Sequence, residues 1–125
     1  MLDTNICIYI IKRRPQSVLG RFTSFAVRDI GISTITLAEL EYGAAKSQQP
    51  KQNREALEQF ISPLEVAAFD REATAAYGKI RAALEKRGLP IGSMDMLIAA
   101  HALSLGVTLV TNNEREFRRV PGLPV

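Results

Sequence analysis

Between Arg87 and Glu114 the chain carries a single Asp, Glu, Lys or Arg, the carboxylate of Asp95. Within that gap Ser93 caps an apolar helix that runs to Leu105 and is stopped by Gly106. Val107-Thr108-Leu109-Val110-Thr111 follows as a strand, β-branched at every position but Leu109 and bounded by Asn112-Asn113. A helix without a polar face is covered on all sides, and a strand without alternation is covered on both. Asp95, His101 and Gly106 interrupt the stretch, so it is not read as a membrane span. The pair points to an α/β fold with a buried parallel sheet.

The rest of the chain agrees with that alternation. Met1-Leu2 is the stump of a strand, Asp3-Thr4-Asn5 are three good N-caps, and a short helix from Ile6 to Lys12 stops before Pro15. A second helix is expected over Gln16 to Phe25, and a short strand at Ile30 to Ser33. Thr34 caps a helix to about Lys46; Pro50 starts another, striped by Leu57, Phe60 and Ile61 and ending before Pro63. Glu65 to Phe69 is a strand, and Asp70 caps a long helix closed by Gly88 and Pro90. No repeat or interior linker divides the 125 residues, and 46% hydrophobic residues suffice for one core, so a single domain over 1–125 is expected.

Several function classes fall away on composition. One cysteine, Cys7, rules out an internal disulfide framework and a Cys-rich zinc site, and Cys7 itself reads as a small packing residue. A net charge of +3 excludes a histone-like polycation and an acidic tail, and it permits a nucleic-acid partner without requiring one. The basic cluster Lys12-Arg13-Arg14 follows the first apolar run, the reverse of a secretory signal, so a soluble cytoplasmic protein is expected.

Ligands of such sheets bind beyond the carboxyl ends of the strands. Asp3, the only charged residue before Lys12, follows a strand, and Asp95 lies in the first turn of a helix. Between Asp29 and Lys46 the only charges are Glu39 and Glu41, which point about 200° apart on a helix, so at most one faces a shared site. Carboxylates gathered at one edge repel by about 4 kcal/mol per pair at 4 Å and an effective dielectric of about 20. A divalent cation relieves this, and oxygen donors without His or Cys favour Mg²⁺ or Mn²⁺ over zinc. Blander roles stand beside these: Asp3 as an N-cap, Asp95 as a partner of the helix dipole, Glu39 as a solvated side chain, His101 as a core or surface histidine, and the basic clusters as solvated faces.

Four segments resemble the PIN domain, a compact metal-dependent ribonuclease fold: Met1-Leu2-Asp3-Thr4-Asn5, Ile32-Ser33-Thr34-Ile35-Thr36-Leu37-Ala38-Glu39-Leu40, Gly92-Ser93-Met94-Asp95-Met96-Leu97-Ile98-Ala99-Ala100-His101-Ala102, and Leu109-Val110-Thr111-Asn112-Asn113 with Arg115-Glu116-Phe117. Each alone is weak, but their order and separations over nearly the whole chain are specific. Within the family the chain is similar to the toxins of bacterial VapBC toxin–antitoxin pairs. Tyr42-Gly43-Ala44 through Lys46-Ser47 resembles the enteric type that cuts initiator tRNA.

The resemblance implies a three-layer α/β/α domain with a short, four-stranded parallel sheet whose edge strand is truncated. It selects Glu39 over Glu41 and implies Asp3, Glu39 and Asp95 as the catalytic, metal-holding acids for Mg²⁺ or Mn²⁺. Asn113 stands where relatives often carry a fourth acid, and Glu116, three residues later, is the carboxylate in a position to contribute instead. Thr4, Asn5, Ser33 and Thr111 are supporting residues, with Thr111 the foremost hydroxyl to orient a carboxylate. A basic rim of Lys12, Arg13, Arg14 and Arg115 would hold RNA phosphates. The resemblance further implies cleavage of RNA, in the anticodon stem-loop of initiator tRNA, leaving a 3′-hydroxyl and a 5′-phosphate. It also implies a homodimer and a cognate antitoxin that inserts a segment into the acidic pocket.

Other classes are weaker. A haloacid-dehalogenase-like phosphatase needs a second Asp at position 5, which is Asn, and a receiver domain needs a lysine after the last strand, where none follows Val107 to Thr111. A non-catalytic PIN-like module that binds RNA or a partner is kept open by Asn113.

Overall fold

The computed structural model describes residues 1–13 and 30–125, without the side chain of Arg13. The helix expected over 16–25 and the cation Arg14 lie outside the described residues. Helix α1 spans Thr4–Arg13, two residues earlier than expected, because Asp3 alone serves as its cap: Oδ1 accepts from the Ile6 amide at 2.8 Å. Strand β1 (Gly31–Ser33) runs directly into helix α2 (Thr34–Lys46), and helix α3 (Pro50–Ile61) follows with Pro50 at its first position. Strand β2 (Glu65–Ala67) leads to the Asp70 cap and helix α4 (Arg71–Lys86); helices α5 (Ser93–Leu105) and α6 (Glu114–Phe117) complete the described elements.

The caps of α2 and α5 each fall one residue before the one expected. Ser33, not Thr34, caps α2, accepting from the Ile35 amide at 3.0 Å, while Thr34 Oγ1 accepts from the Phe69 amide. Gly92, not Ser93, is the cap position of α5. At the far end of α5, Gly106 adopts φ +68°, a left-handed turn that a β-carbon disfavours.

The expected four-stranded sheet is corrected. Among the described residues only β1 and β2 form a sheet, parallel and in register from Gly31 opposite Glu65 to Ser33 opposite Ala67, and Leu2 and Val110 meet in an isolated parallel bridge. Backbone bonds still tie these pieces together: the Leu2 amide donates to the Gly31 carbonyl, Asp3 to Val110, Val110 to Met1, and Leu109 to Pro124. The run 107–111 is therefore extended beside its neighbours without becoming a regular strand. On one side its partner segment turns into α1 at Thr4; on the other, Pro124 has no N–H with which to continue the ladder.

Two apolar cores flank these extended segments. One gathers Leu2, Ile6, Cys7, Ile10, Ile30, Ile32, Leu40 and Leu57 beneath α1, α2 and α3. The other gathers Ile80 and Leu84 of α4, Met96, Ile98, Ala99, Ala100 and Ala102 of α5, and Leu109, Phe117 and Val120. Helix α5 is buried nearly all round, as its lack of a polar face requires, and α4 packs along it. Small residues at 99, 100 and 102 allow that close approach, while each fully buried Leu or Ile contributes about 1.5–3 kcal/mol. Cys7 is fully buried, and burial together with the Asp3 carboxylate pushes its thiol far above the ordinary range, as befits a packing residue. No helix among the described residues is long and apolar enough to cross a membrane.

Candidate acidic site

Asp3 sits at the junction where the first extended segment becomes α1, and it is 1% exposed. Its two oxygens are held from different parts of the chain: Oδ1 by the Ile6 amide and Oδ2 by the Thr111 hydroxyl at 2.5 Å. Burial raises its pKa, and these two donors oppose the rise. Each oxygen keeps a lone pair beyond the bond it accepts. Thr111 is itself fixed, because its Oγ1 accepts from the Asn113 amide at 2.8 Å.

Glu39 projects from α2 toward the start of α1. Its Oε1 accepts from Thr4 Oγ1 at 2.6 Å, and Thr4 Oγ1 lies 3.3 Å from the buried Thr36 hydroxyl. A hydroxyl has one proton, so Thr4 donates to Glu39 and accepts from Thr36. Glu41 leaves in the other direction, 3.7 Å from Arg54 of α3. Thr36 was not singled out from the sequence. Its signal is its spacing: three residues before Glu39, it lies on the same helix face.

Asp95 occupies the first turn of α5, half-buried, with Oδ2 packed against Gly92, where a β-carbon would come within 3.4 Å. Its pKa is pushed up to about 6, first by burial and then by the charges of Glu116, Asp3 and Glu39. Hydrogen bonds link the same regions of the chain: Thr111 joins Asp3 to the Asn113 amide, Asn113 joins Glu116, Glu116 joins Gly92 beside Asp95, and Thr4 next to Asp3 joins Glu39. Glu116 of α6 is anchored in turn: Oε1 accepts from the Gly92 amide at 3.2 Å and Oε2 from Asn113 Nδ2. The side-chain amide at 113 thus steadies a carboxylate rather than replacing one.

Other expected residues are placed elsewhere. Asn5 faces solvent on α1. Ser33 does not orient a carboxylate, because its hydroxyl caps α2 and meets His101 Nδ1 at 2.8 Å. Lys12 and Arg115 are exposed. His101 is a core residue, 1% exposed, on α5.

The ion pairs among the described residues, Arg54 with Glu41, Arg81 with Glu85 and Arg118 with Glu114, include none of the acids of this cluster. As arranged, no three His, Cys, Asp or Glu among the described residues stand close enough to hold one ion. Mg²⁺ does not require three: it keeps several waters and takes one or two carboxylates. The donor set, oxygen only and with no basic partner among the described residues, fits such an ion.

The family model described as PIN domain matches residues 1–123. The chain is 50% identical over 123 residues to the tRNA(fMet)-specific endonuclease VapC of Shigella flexneri, covering 98% of this chain and 92% of that protein. Among solved structures, DNA-bound VapBC from Salmonella typhimurium superposes with a TM-score of 0.96 at 49% identity, covering 99% of this chain and 93% of that one. VapBC2 from Rickettsia felis, bound to a DNA fragment from its promoter, does so at 0.95 and 46% identity, covering 99% and 94%.

Proposed function

This chain belongs to the PIN-domain family, and we propose that it is the toxin of a toxin–antitoxin pair, an endoribonuclease that hydrolyses RNA phosphodiester bonds with Mg²⁺ or Mn²⁺. The convergence of Asp3, Glu39, Asp95 and Glu116, with the Asp95 carboxyl pushed up to about 6, is the observation that carries this reading. Half-identical relatives named ribonucleases support the substrate class, and the tRNA(fMet)-specific names support initiator tRNA. Solved complexes of similar chains with their VapB partners support a cognate antitoxin. A homodimer in the cytoplasm completes the reading, with residues 1–125 working as one unit.

Asp3 and Asp95 would hold the cation, with Glu39 supporting it. When bound, the ion supplies charge stabilisation at the reacting phosphate and lowers the pKa of water. The chain's own work is orientation. Thr111 and the Ile6 amide aim Asp3, the Thr36–Thr4 pair aims Glu39, and Gly92 with Asn113 fixes Glu116 beside Asp95. Water adds to phosphorus and the bond to the 3′-oxygen breaks. One water proton is lost and the leaving oxygen gains one, giving a 3′-hydroxyl and a 5′-phosphate. Lys12 and Arg115, both exposed, take RNA phosphates, a role the sequence also assigns to Arg13 and Arg14.

The test is to incubate the purified protein with total RNA and Mg²⁺ and map the cut ends. Asp3→Asn keeps an oxygen for the Ile6 amide, so it should fold and lose cleavage; undiminished cutting by that variant refutes the assignment. A second reading, a non-catalytic module that binds RNA or a partner, is favoured by the absence of a ready three-acid ion site among the described residues. It predicts no rise in melting temperature at millimolar Mn²⁺, whereas the nuclease reading predicts a rise.

A further inference from the structure

We propose that His101 is a positioning residue of the acidic site, holding helix α5, which carries Asp95, against the cap of helix α2, which carries Glu39. The inference rests on the cation-holding role of those acids given above. His101 is 1% exposed, and its Nδ1 lies 2.8 Å from Ser33 Oγ, a contact spanning 68 positions of sequence. The same Ser33 oxygen accepts from the Ile35 amide. One hydroxyl is therefore both the cap of α2 and the partner of α5.

The ring is held on a second side by Phe69, edge-on with centroids 5.4 Å apart at 76°. Its other nitrogen, Nε2, is buried and has no hydrogen bond of good geometry among the described residues, although the backbone of Ala68 lies within reach of the ring. The directional contact at Nδ1 reaches Ser33 across 68 positions, a bond that an apolar side chain of the same volume could not make. Burial lowers the pKa of the ring and outweighs the raising influence of Asp70 and of a backbone bond to Ala68, so the ring is neutral at neutral pH. A neutral ring and a hydroxyl form one directional bond, and its direction sets how α5 lies on α2. Both carboxylates stand six residues from the contact, about 9 Å along their helices, so a tilt at the contact is carried to the acids.

The experiment is calorimetric titration of Mn²⁺ into the purified full chain, with urea unfolding to verify that each variant is folded. His101→Ala should weaken Mn²⁺ binding about tenfold, the lower end of what losing an outer contact to a metal site costs. His101→Asn places an amide near the Nδ1 position and should bind within about twofold of wild type. Ser33→Ala combined with His101→Ala should bind no more weakly than Ser33→Ala alone, because both remove the same bond. A folded His101→Ala that binds as wild type overturns the inference, as do losses that multiply in the double variant. Should His101→Ala fail to fold, His101→Asn decides: wild-type affinity there with weakened binding in Ser33→Ala supports the inference, and a tenfold loss in folded His101→Asn overturns it. Wild-type protein that takes up no Mn²⁺ refutes the cation reading itself, and this inference with it; the two failures differ in the wild-type titration.

Discussion

Replacing Asp95 with Asn should make the metal-free protein more stable at neutral pH while abolishing cleavage. The Asp95 carboxyl is raised from 3.8 to about 6 because its charged form is half-buried among Glu116, Asp3 and Glu39. Two pKa units correspond to about 3 kcal/mol, and because the group is only half-buried, solvent screening reduces this to about 1.5 kcal/mol. Asn also gives up the charge that complements the α5 dipole, about 0.5 kcal/mol, leaving a net gain of about 1 kcal/mol at pH 7.5. In the folded state the carboxyl binds its proton more tightly than in the unfolded state. Wild-type stability from this group is therefore highest below about pH 4, falls as pH rises from 4 to 6, and stays reduced above that. Asn has no such dependence, so the gap between the two proteins should close at pH 4. The assay is urea denaturation of both proteins in EDTA at pH 4 and 7.5, comparing midpoints at a common m-value. Added Mn²⁺ should reverse the order at pH 7.5, since only wild type gains binding energy. The reasoning is refuted if Asp95→Asn is no more stable than wild type at pH 7.5 in EDTA, or if its advantage persists undiminished at pH 4.

Thr111→Val removes the donor to Asp3 Oδ2 and the acceptor for the Asn113 amide, and should cost about 1–3 kcal/mol in urea unfolding. It should also raise the Asp3 pKa further, read by carboxyl NMR. Gly31→Ala would set a β-carbon 2.9 Å from the Glu65 carbonyl oxygen, backbone that cannot yield without parting β1 from β2. A loss of about 1–3 kcal/mol, seen as a lower melting temperature, is expected. Glu39→Gln should suppress RNA cleavage strongly. Glu41→Ala breaks only the exposed pair with Arg54, so it should leave cleavage intact and shift stability by less than about 1 kcal/mol.

Much of this architecture was legible because it is written locally. Asp70 caps α4 where expected, Pro50 opens α3, and Gly106 ends α5 in a left-handed turn. Those signals depend on a few neighbouring residues and their backbone angles. The run 107–111 misled for the opposite reason. Its β-branched composition describes a strand, but regular pairing depends on partners over a hundred positions away in one direction and on a proline in the other. The cap positions at Ser33 and Gly92 differ by one residue because adjacent residues in each pair can all start a helix, and tertiary contacts choose between them.

The acidic site divides along the same line. That Asp3 and Asp95 are unusual follows from sequence alone, because an isolated carboxylate in an apolar stretch has no local way to recover its lost hydration. Which glutamate joins them does not follow from spacing: the family resemblance selects Glu39, and the fold shows Thr4 bonded to Glu39 and Arg54 paired with Glu41. The roles of Thr36, Ser33 and His101 were equally hidden. Each is a polar side chain in an apolar neighbourhood whose partner lies 32 or 68 positions away. Composition and periodicity report what a residue would prefer to bury or expose, and these determined the layers and the stranded acids. Hydrogen bonds are satisfied only at specific distances and angles, so their pairing, and the posture of every acid they hold, was decided by the tertiary structure.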